Sequence, residues 1–189
     1  MTTSHLDTFV RDRLPPPEQQ PEFLFDLPEL QYPDKLNAAV ELMAGGAPDM
    51  AAVINDADSW TFAEIDDLSS RIARMLVEEE ALVPGNRVFL RGPNSMMLLA
   101  SWLGVLKAGG VLVTTMPMLR PGEIETIVTR AEVSHAIVDS RFIGDFRQGA
   151  DAAGTIRSLL RYDGDHGKGE LETRLHAVAG GFAPAETLR

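Results

Sequence analysis

The residues best placed to do chemistry follow one apolar run. Val111-Leu112-Val113-Thr114-Thr115 leads into Met116-Pro117-Met118-Leu119-Arg120, and then into Pro121-Gly122-Glu123. A loop at the carboxyl end of a strand is where open α/β sheets hold their ligands. In that role Arg120 would contact an anion, and Arg91 and Arg141, which follow other strand ends, could join it. The plainer reading is a solvated arginine beside Met116 and Met118 packed under the next helix, and for the two methionines packing is the expectation.

Other constellations fail on composition or spacing. Arg91-Gly92-Pro93-Asn94-Ser95 holds one glycine, where a dinucleotide loop needs three. Gly164-Asp165-His166-Gly167-Lys168-Gly169 is no Walker loop, because Tyr162 stands where a glycine is required and Gly169 where a magnesium-binding hydroxyl is required. His5, His135, His166 and His176 show no metal-ligand spacing, and His135, opening a strand, reads as structural. No Gly-x-Ser-x-Gly elbow occurs. Asp139 ends a strand alone, without the acidic partners of a phosphoacceptor site. With no cysteine among 189 residues, disulfides, thiolate metal sites and a cysteine nucleophile are excluded from this chain.

The elements that must position the loop follow from periodicity. Residues 1–31, with Leu14-Pro15-Pro16-Pro17, read as an extended arm. A helix is expected from Tyr32 to Met43, capped by Asp34. Ala51–Ile54 and Trp60–Phe62 read as a hairpin. Thr61 and Glu64 form a capping box, and Ile65, Leu68, Ile72 and Leu76 follow at helical spacing, with Asp66, Asp67, Arg71 and Arg74 opposite. Glu78-Glu79-Glu80 closes that helix as a solvated face. Strands are expected at Arg87–Leu90, Val111–Thr115 (covered on both faces), His135–Val138 and Ile156–Leu160. Helices are expected at Met96–Ala108, apolar nearly all round and stopped by Gly109, from Pro121 with a Leu119–Ile124 staple, from about Arg141, and at Glu170–Leu175. This alternation predicts an α/β fold: a doubly wound, mainly parallel sheet with helices on both faces, plus a small β-hairpin. The expected division is an arm at 1–31, an α/β subdomain at 32–150, a peripheral strand, loop and short helix at 151–176, and a linker at 177–189.

Composition narrows the partners. The net charge is −11 with three lysines, Lys35, Lys107 and Lys168, so neither nucleic acid nor an acidic membrane surface is an expected partner. No apolar run approaches the ~18 residues of a membrane span. The N-terminus lacks a secretory apolar region, and a cytoplasmic location is expected.

The order Thr61-Phe62-Ala63-Glu64, Gly85-Asn86-Arg87-Val88, Pro93-Asn94, Leu106-Lys107-Ala108-Gly109 and Pro117 to Glu123 resembles the N-terminal part of the AMP-forming acyl-CoA synthetases, a group that also contains luciferases and peptide-synthetase adenylation domains. The Arg91-Gly92-Pro93-Asn94 turn and the Thr114 to Glu123 loop are most like those of 2-aminobenzoate–CoA and benzoate–CoA ligases. The resemblance implies an acid–thiol ligase acting in aromatic acid degradation. A carboxylate attacks the α-phosphate of ATP, releasing pyrophosphate, and the thiol of CoA then displaces AMP from the acyl-adenylate. ATP, Mg2+ and CoA are implied for the complete enzyme, and none is expected to bind tightly to this chain. The family's phosphate loop, its adenine and ribose contacts and its C-terminal domain have no counterpart in these residues. The resemblance therefore implies a truncated N-terminal domain, inactive alone, with no catalytic or metal-binding residue, whose partners are the remainder of the ligase polypeptide and an aromatic carboxylate. It places Arg120 and Met118 at the CoA-side cleft. Self-association through unburied apolar surface is also expected. Two readings stand against it: a stand-alone, non-catalytic interaction module of the same half-fold, and an unrelated Rossmann-like nucleotide binder.

Overall fold

The computed structural model describes residues 3–22, 24–33, 35–55, 58–164 and 168–188. Its centre is a four-stranded parallel sheet of β4 (Arg87–Arg91), β5 (Val111–Thr115), β6 (His135–Asp139) and β7 (Ser158–Tyr162) in the order β5-β4-β6-β7. Helix α4 (Met96–Lys107) joins β4 to β5, α5 (Pro121–Arg130) carries the chain back past β4 to β6, and α6 (Ile143–Ala153) leads to β7. A 3-10 turn, Ser140–Phe142, precedes α6.

Strand alternation divides the core in two. Val88, Leu90, Ile137, Leu160 and Tyr162 pack toward α3 (Phe62–Glu78), α4 and α7 (Glu170–Leu175). Phe89, Ala136 and Val138 pack toward α5 and α6, with Phe89 and Phe146 ring centroids 5.0 Å apart. The fold is thus α/β, a doubly wound parallel sheet covered on both faces. It carries a small antiparallel hairpin of β2 (Ala51–Ile54) and β3 (Ser59–Thr61). Asp56 and Ala57, at the hairpin turn, lie outside the described residues.

Local chemistry sets the helix starts. Thr61 Oγ1 accepts from the Glu64 N–H at 3.2 Å, and Glu64 Oε2 accepts from the Thr61 N–H at 2.8 Å, which completes the capping box. Ser95 Oγ caps α4 through the Leu98 N–H. Pro121 occupies the first turn of α5.

Four expectations need correction. The helix expected from Tyr32 begins later, as α2 (Ala38–Met43), because β1 (Lys35–Leu36) pairs antiparallel with β8 (Thr187–Leu188). Asn37 is its cap, accepting from the Ala39 N–H at 3.0 Å; the expected cap, Asp34, lies outside the described residues. The same pairing gives strand structure to the end of the supposed linker. The strand expected at Ile156–Leu160 runs instead from Ser158 to Tyr162, since the Arg157 and Ser158 N–H groups are both taken by the Ser134 carbonyl where the chain joins the sheet. Finally, β5 is covered only in part, with Leu112 packed against one core and Val113 against the other. It is an edge strand, half-buried at four positions and exposed at Thr114.

The N-terminal residues meet the base of the sheet, its N-terminal edge. The Leu6 and Asp7 N–H groups donate to the Pro84 carbonyl. Helix α1 (Phe9–Asp12) lays the Phe9 ring 4.1 Å from the Arg87 guanidinium. Further base contacts fix the end of α3: buried His135 bonds the Glu80 carbonyl and Ser134 Oγ, and Glu80 accepts from Ser158 Oγ. His135 is therefore structural, as expected. Glu79 and Glu80 are bound by Arg174 rather than simply solvated.

Candidate functional site

The carboxyl edge of the sheet gathers the chemically capable groups. Strands β4 and β6 send their chains to opposite faces of the sheet, α4 on one and α6 on the other, which makes this the topological switch point where open α/β sheets hold ligands. Arg91, Asp139 and Tyr162 end three adjacent strands and are all fully buried.

Each is held differently. Arg91 Nη2 donates to the Pro117 carbonyl at 2.5 Å and the Leu119 carbonyl at 2.8 Å, and Nη1 reaches the Phe142 carbonyl at 3.5 Å. Its nearest carboxylate, Asp145, is 3.8 Å away and 58% exposed. Burial lowers the Arg91 pKa, partly offset by Asp145. Asp139 accepts two hydrogen bonds from the Arg141 guanidinium, each 2.9 Å. Burial works to raise the Asp139 carboxyl, but the Arg141 hydrogen bonds and charge outweigh it and leave the pKa below its ordinary value. The Tyr162 hydroxyl donates to the Arg91 carbonyl at 3.4 Å, and burial, reinforced by the Asp139 charge, pushes its pKa up. Tyr162 stays a neutral donor.

Gly92 belongs to this packing. A Cβ there would lie 1.8 Å from Tyr162 Oη and 3.1 Å from Asp139 Cβ. The glycine of the turn lets a buried tyrosine pass.

Of the arginines expected to contact an anion, the structure leaves one so disposed. Arg91 is committed to loop carbonyls and Arg141 to Asp139. Arg120 is exposed at the N-cap of α5; its own N–H donates to Glu123 Oε2 at 2.8 Å, and its guanidinium forms no ion pair among the described residues. Met116 and Met118 do not pack under the next helix: they are 70% and 90% exposed. Leu119 turns inward instead, joining Ile124 in the core and completing the expected staple. Arg91, expected as a possible anion contact, is instead spent on the Pro117 and Leu119 carbonyls, partners that its place at a strand end does not reveal.

A second feature opens nearby. An open cleft of about 570 Å³ runs between the hairpin and α4, floored by Leu90 and Thr114 and walled by Trp60, Trp102 and Leu99. Asn94 and Ser95 stand at its polar end. Its lining is mostly apolar, suited to exclude water rather than to move protons. Among the described residues no three His, Cys, Asp or Glu side chains converge as a metal site, and no helix is long and apolar enough to cross a membrane.

Comparison with known proteins agrees with this geometry. The chain is 27% identical over 143 residues to a long-chain-fatty-acid–CoA ligase of Salmonella typhimurium, covering 74% of the chain and 26% of that protein. It is 37% identical over 93 residues to syringomycin synthase SyrB1 of Pseudomonas syringae, covering 49% of the chain and 15% of that protein. The chain thus spans about a quarter or less of these relatives' length. Among solved structures it superposes on a benzoate CoA ligase from Burkholderia xenovorans with a TM-score of 0.67 at 23% identity, covering 79% of the chain and 30% of the ligase. On the anthranilate CoA ligase AuaEII, solved with anthranoyl-AMP, the TM-score is 0.74 at 17% identity, covering 84% of the chain and 30% of that structure. Residues 40–182, most of the chain, match the family described as AMP-binding enzyme, and the chain belongs to that family.

Proposed function

We propose that this chain is the N-terminal part of an ATP-dependent, AMP-forming aryl-CoA ligase, in the manner of 2-aminobenzoate–CoA ligase, and that it is inactive alone. The observation that carries the reading is the family match over residues 40–182 together with superposition on benzoate- and anthranilate-CoA ligases. A carboxylate is a poor electrophile. Joining it to the α-phosphate of ATP and expelling pyrophosphate makes a mixed anhydride that a thiol can open. That step requires fixed positive charge, and Mg2+ when bound, at the developing phosphate oxygens. The charges at this chain's strand ends are spent on carbonyls and a carboxylate, which supports a scaffolding role beside the reaction. The remainder of the ligase would supply the reactive groups, and an aromatic carboxylate would be the acid.

Within that reading the arm (1–31), the α/β subdomain (32–150), the strand, loop and helix that follow (151–176) and the connecting segment (177–189) are successive parts of one supporting half. The Pro117–Glu123 loop faces the CoA-side cleft. Arg120 is its anion contact, Met118 the apolar neighbour, and a cytoplasmic location follows from the substrates. In the complete enzyme, Arg120→Ala is expected to raise the CoA concentration needed for half-maximal rate while leaving the ATP requirement unchanged. Equal CoA dependence in the two proteins would remove Arg120 from the site. Micromolar binding of NAD by this chain would favour the Rossmann-like alternative instead.

A further inference from the structure

Arg91 breaks two ordinary rules at once. A fully buried cation is normally neutralised by a close carboxylate, yet the nearest here lies 3.8 Å off and is mostly solvated. Cations also favour helix C-termini and avoid N-termini, where the helix dipole is positive. The Arg91 guanidinium nevertheless bonds the Pro117 and Leu119 carbonyls, immediately before α5 begins at Pro121. Among the described residues one donor, Nε, is buried without a partner. Departures of this kind survive where function needs a fixed geometry.

The loop has little else to hold it. Among the described residues its own backbone makes one long bond, Leu119 N–H to the Met116 carbonyl at 3.4 Å, before the Arg120–Glu123 contacts of the helix cap. Met116 and Met118 project into solvent and Thr115 Oγ1 is unpartnered. Only Leu119 is anchored by apolar packing. Both strong hydrogen bonds to this segment come from one guanidinium nitrogen, Arg91 Nη2, held in a planar group whose Nη1 reaches the Phe142 carbonyl.

We propose that Arg91 is a positioning residue: it fixes the 116–120 loop so that Met118 and Arg120 are presented outward in one conformation. The functional use of that presentation rests on the CoA-side reading of the loop, but the anchoring does not. Lysine, with a compact head, would hold one carbonyl less rigidly, and methionine would hold neither. The carbonyls would then turn to water and the loop would open without the sheet opening.

Amide hydrogen exchange on this 189-residue chain tests the anchoring. Arg91→Met is expected to speed exchange by about tenfold or more at Leu119 and Arg120, whose N–H groups are bonded to the Met116 carbonyl and Glu123 Oε2, while the β6 amides keep the rate of the unaltered chain. Arg91→Lys is expected to fall between the two. Unchanged loop exchange, acceleration spread evenly over the sheet, or a lysine variant less protected than the methionine one would each overturn the proposal. Should both variants fail to fold, the unaltered chain still decides. NMR couplings across the hydrogen bonds from Arg91 Nη2 to the Pro117 and Leu119 carbonyl carbons are expected, and their absence overturns the assignment. A loop that loosens in Arg91→Met while Arg120→Ala leaves CoA use unaltered would keep the anchoring and discard the ligand reading.

Discussion

Strand β4 carries an arginine at each end, and the two are used in opposite ways. At the base, Arg87 donates to the Ala131 and Glu132 carbonyls, where α5 ends, and pairs with Asp7 of the N-terminal arm. Its charge is matched by a carboxylate and by the negative end of a helix dipole. At the top, Arg91 grips the carbonyls that precede the same helix and has only a long, largely solvated ion pair with Asp145, at 3.8 Å. One strand therefore clasps both ends of α5. The base is electrostatically closed and covered by the arm, whereas the top keeps a cation and an exposed loop.

This contrast can be broken in graded steps. The largest effect is expected from Gly92→Ala, whose methyl would collide with Tyr162 Oη. Relieving that overlap must displace a fully buried tyrosine, costing about 3 kcal/mol of unfolding free energy measured by urea titration. Arg87→Met comes next: it strands Asp7 and leaves the α5 carbonyls without their donor, for a loss of about 2 kcal/mol.

Asp7→Asn should cost somewhat less, about 1.5 kcal/mol: the amide oxygen still accepts from the Phe9 N–H, but the amide NH2 faces the Asn86 and Arg87 donors that the carboxylate accepted from. Its pH signature is more telling. Burial would raise the Asp7 carboxyl, but the Phe9 N–H, Arg87 and Asn86 outweigh it and leave its pKa depressed. A depressed carboxyl contributes stability above its unfolded pKa, near ~4, and loses it as pH falls through the lower folded value. The unaltered chain should therefore lose part of its stability below about pH 4, and Asp7→Asn should lack that component. Identical acid profiles would show that the arm is not held by this charge. The smallest effect is expected from Arg120→Ala at the open end, within about 0.5 kcal/mol by the same unfolding measurement.

The parts of this molecule legible in the sequence are those decided by near neighbours. Thr61 and Glu64 are three residues apart, Ser95 caps a helix through Leu98, and Leu119 meets Ile124 across one turn. The parallel sheet announced itself through alternating apolar segments. What stayed hidden depends on distant partners. Arg91 reads as a strand-end cation free to meet an anion, but its acceptors lie 26 and 28 residues downstream. The start of α2 moved because Lys35 and Leu36 pair with Leu188 and Thr187 at the far end of the chain. Met116 and Met118 looked like packing residues because methionine usually is; the inward place was taken by Leu119, between Met118 and Arg120.

The central proposal is that these residues form a supporting N-terminal part of a ligase and carry none of its reactive machinery. Pyrophosphate release is the direct test: the purified chain is incubated with ATP, Mg2+ and 2-aminobenzoate or benzoate. The account predicts release no faster than in the absence of protein. Sustained turnover by these residues alone, dependent on the aromatic acid, would contradict it.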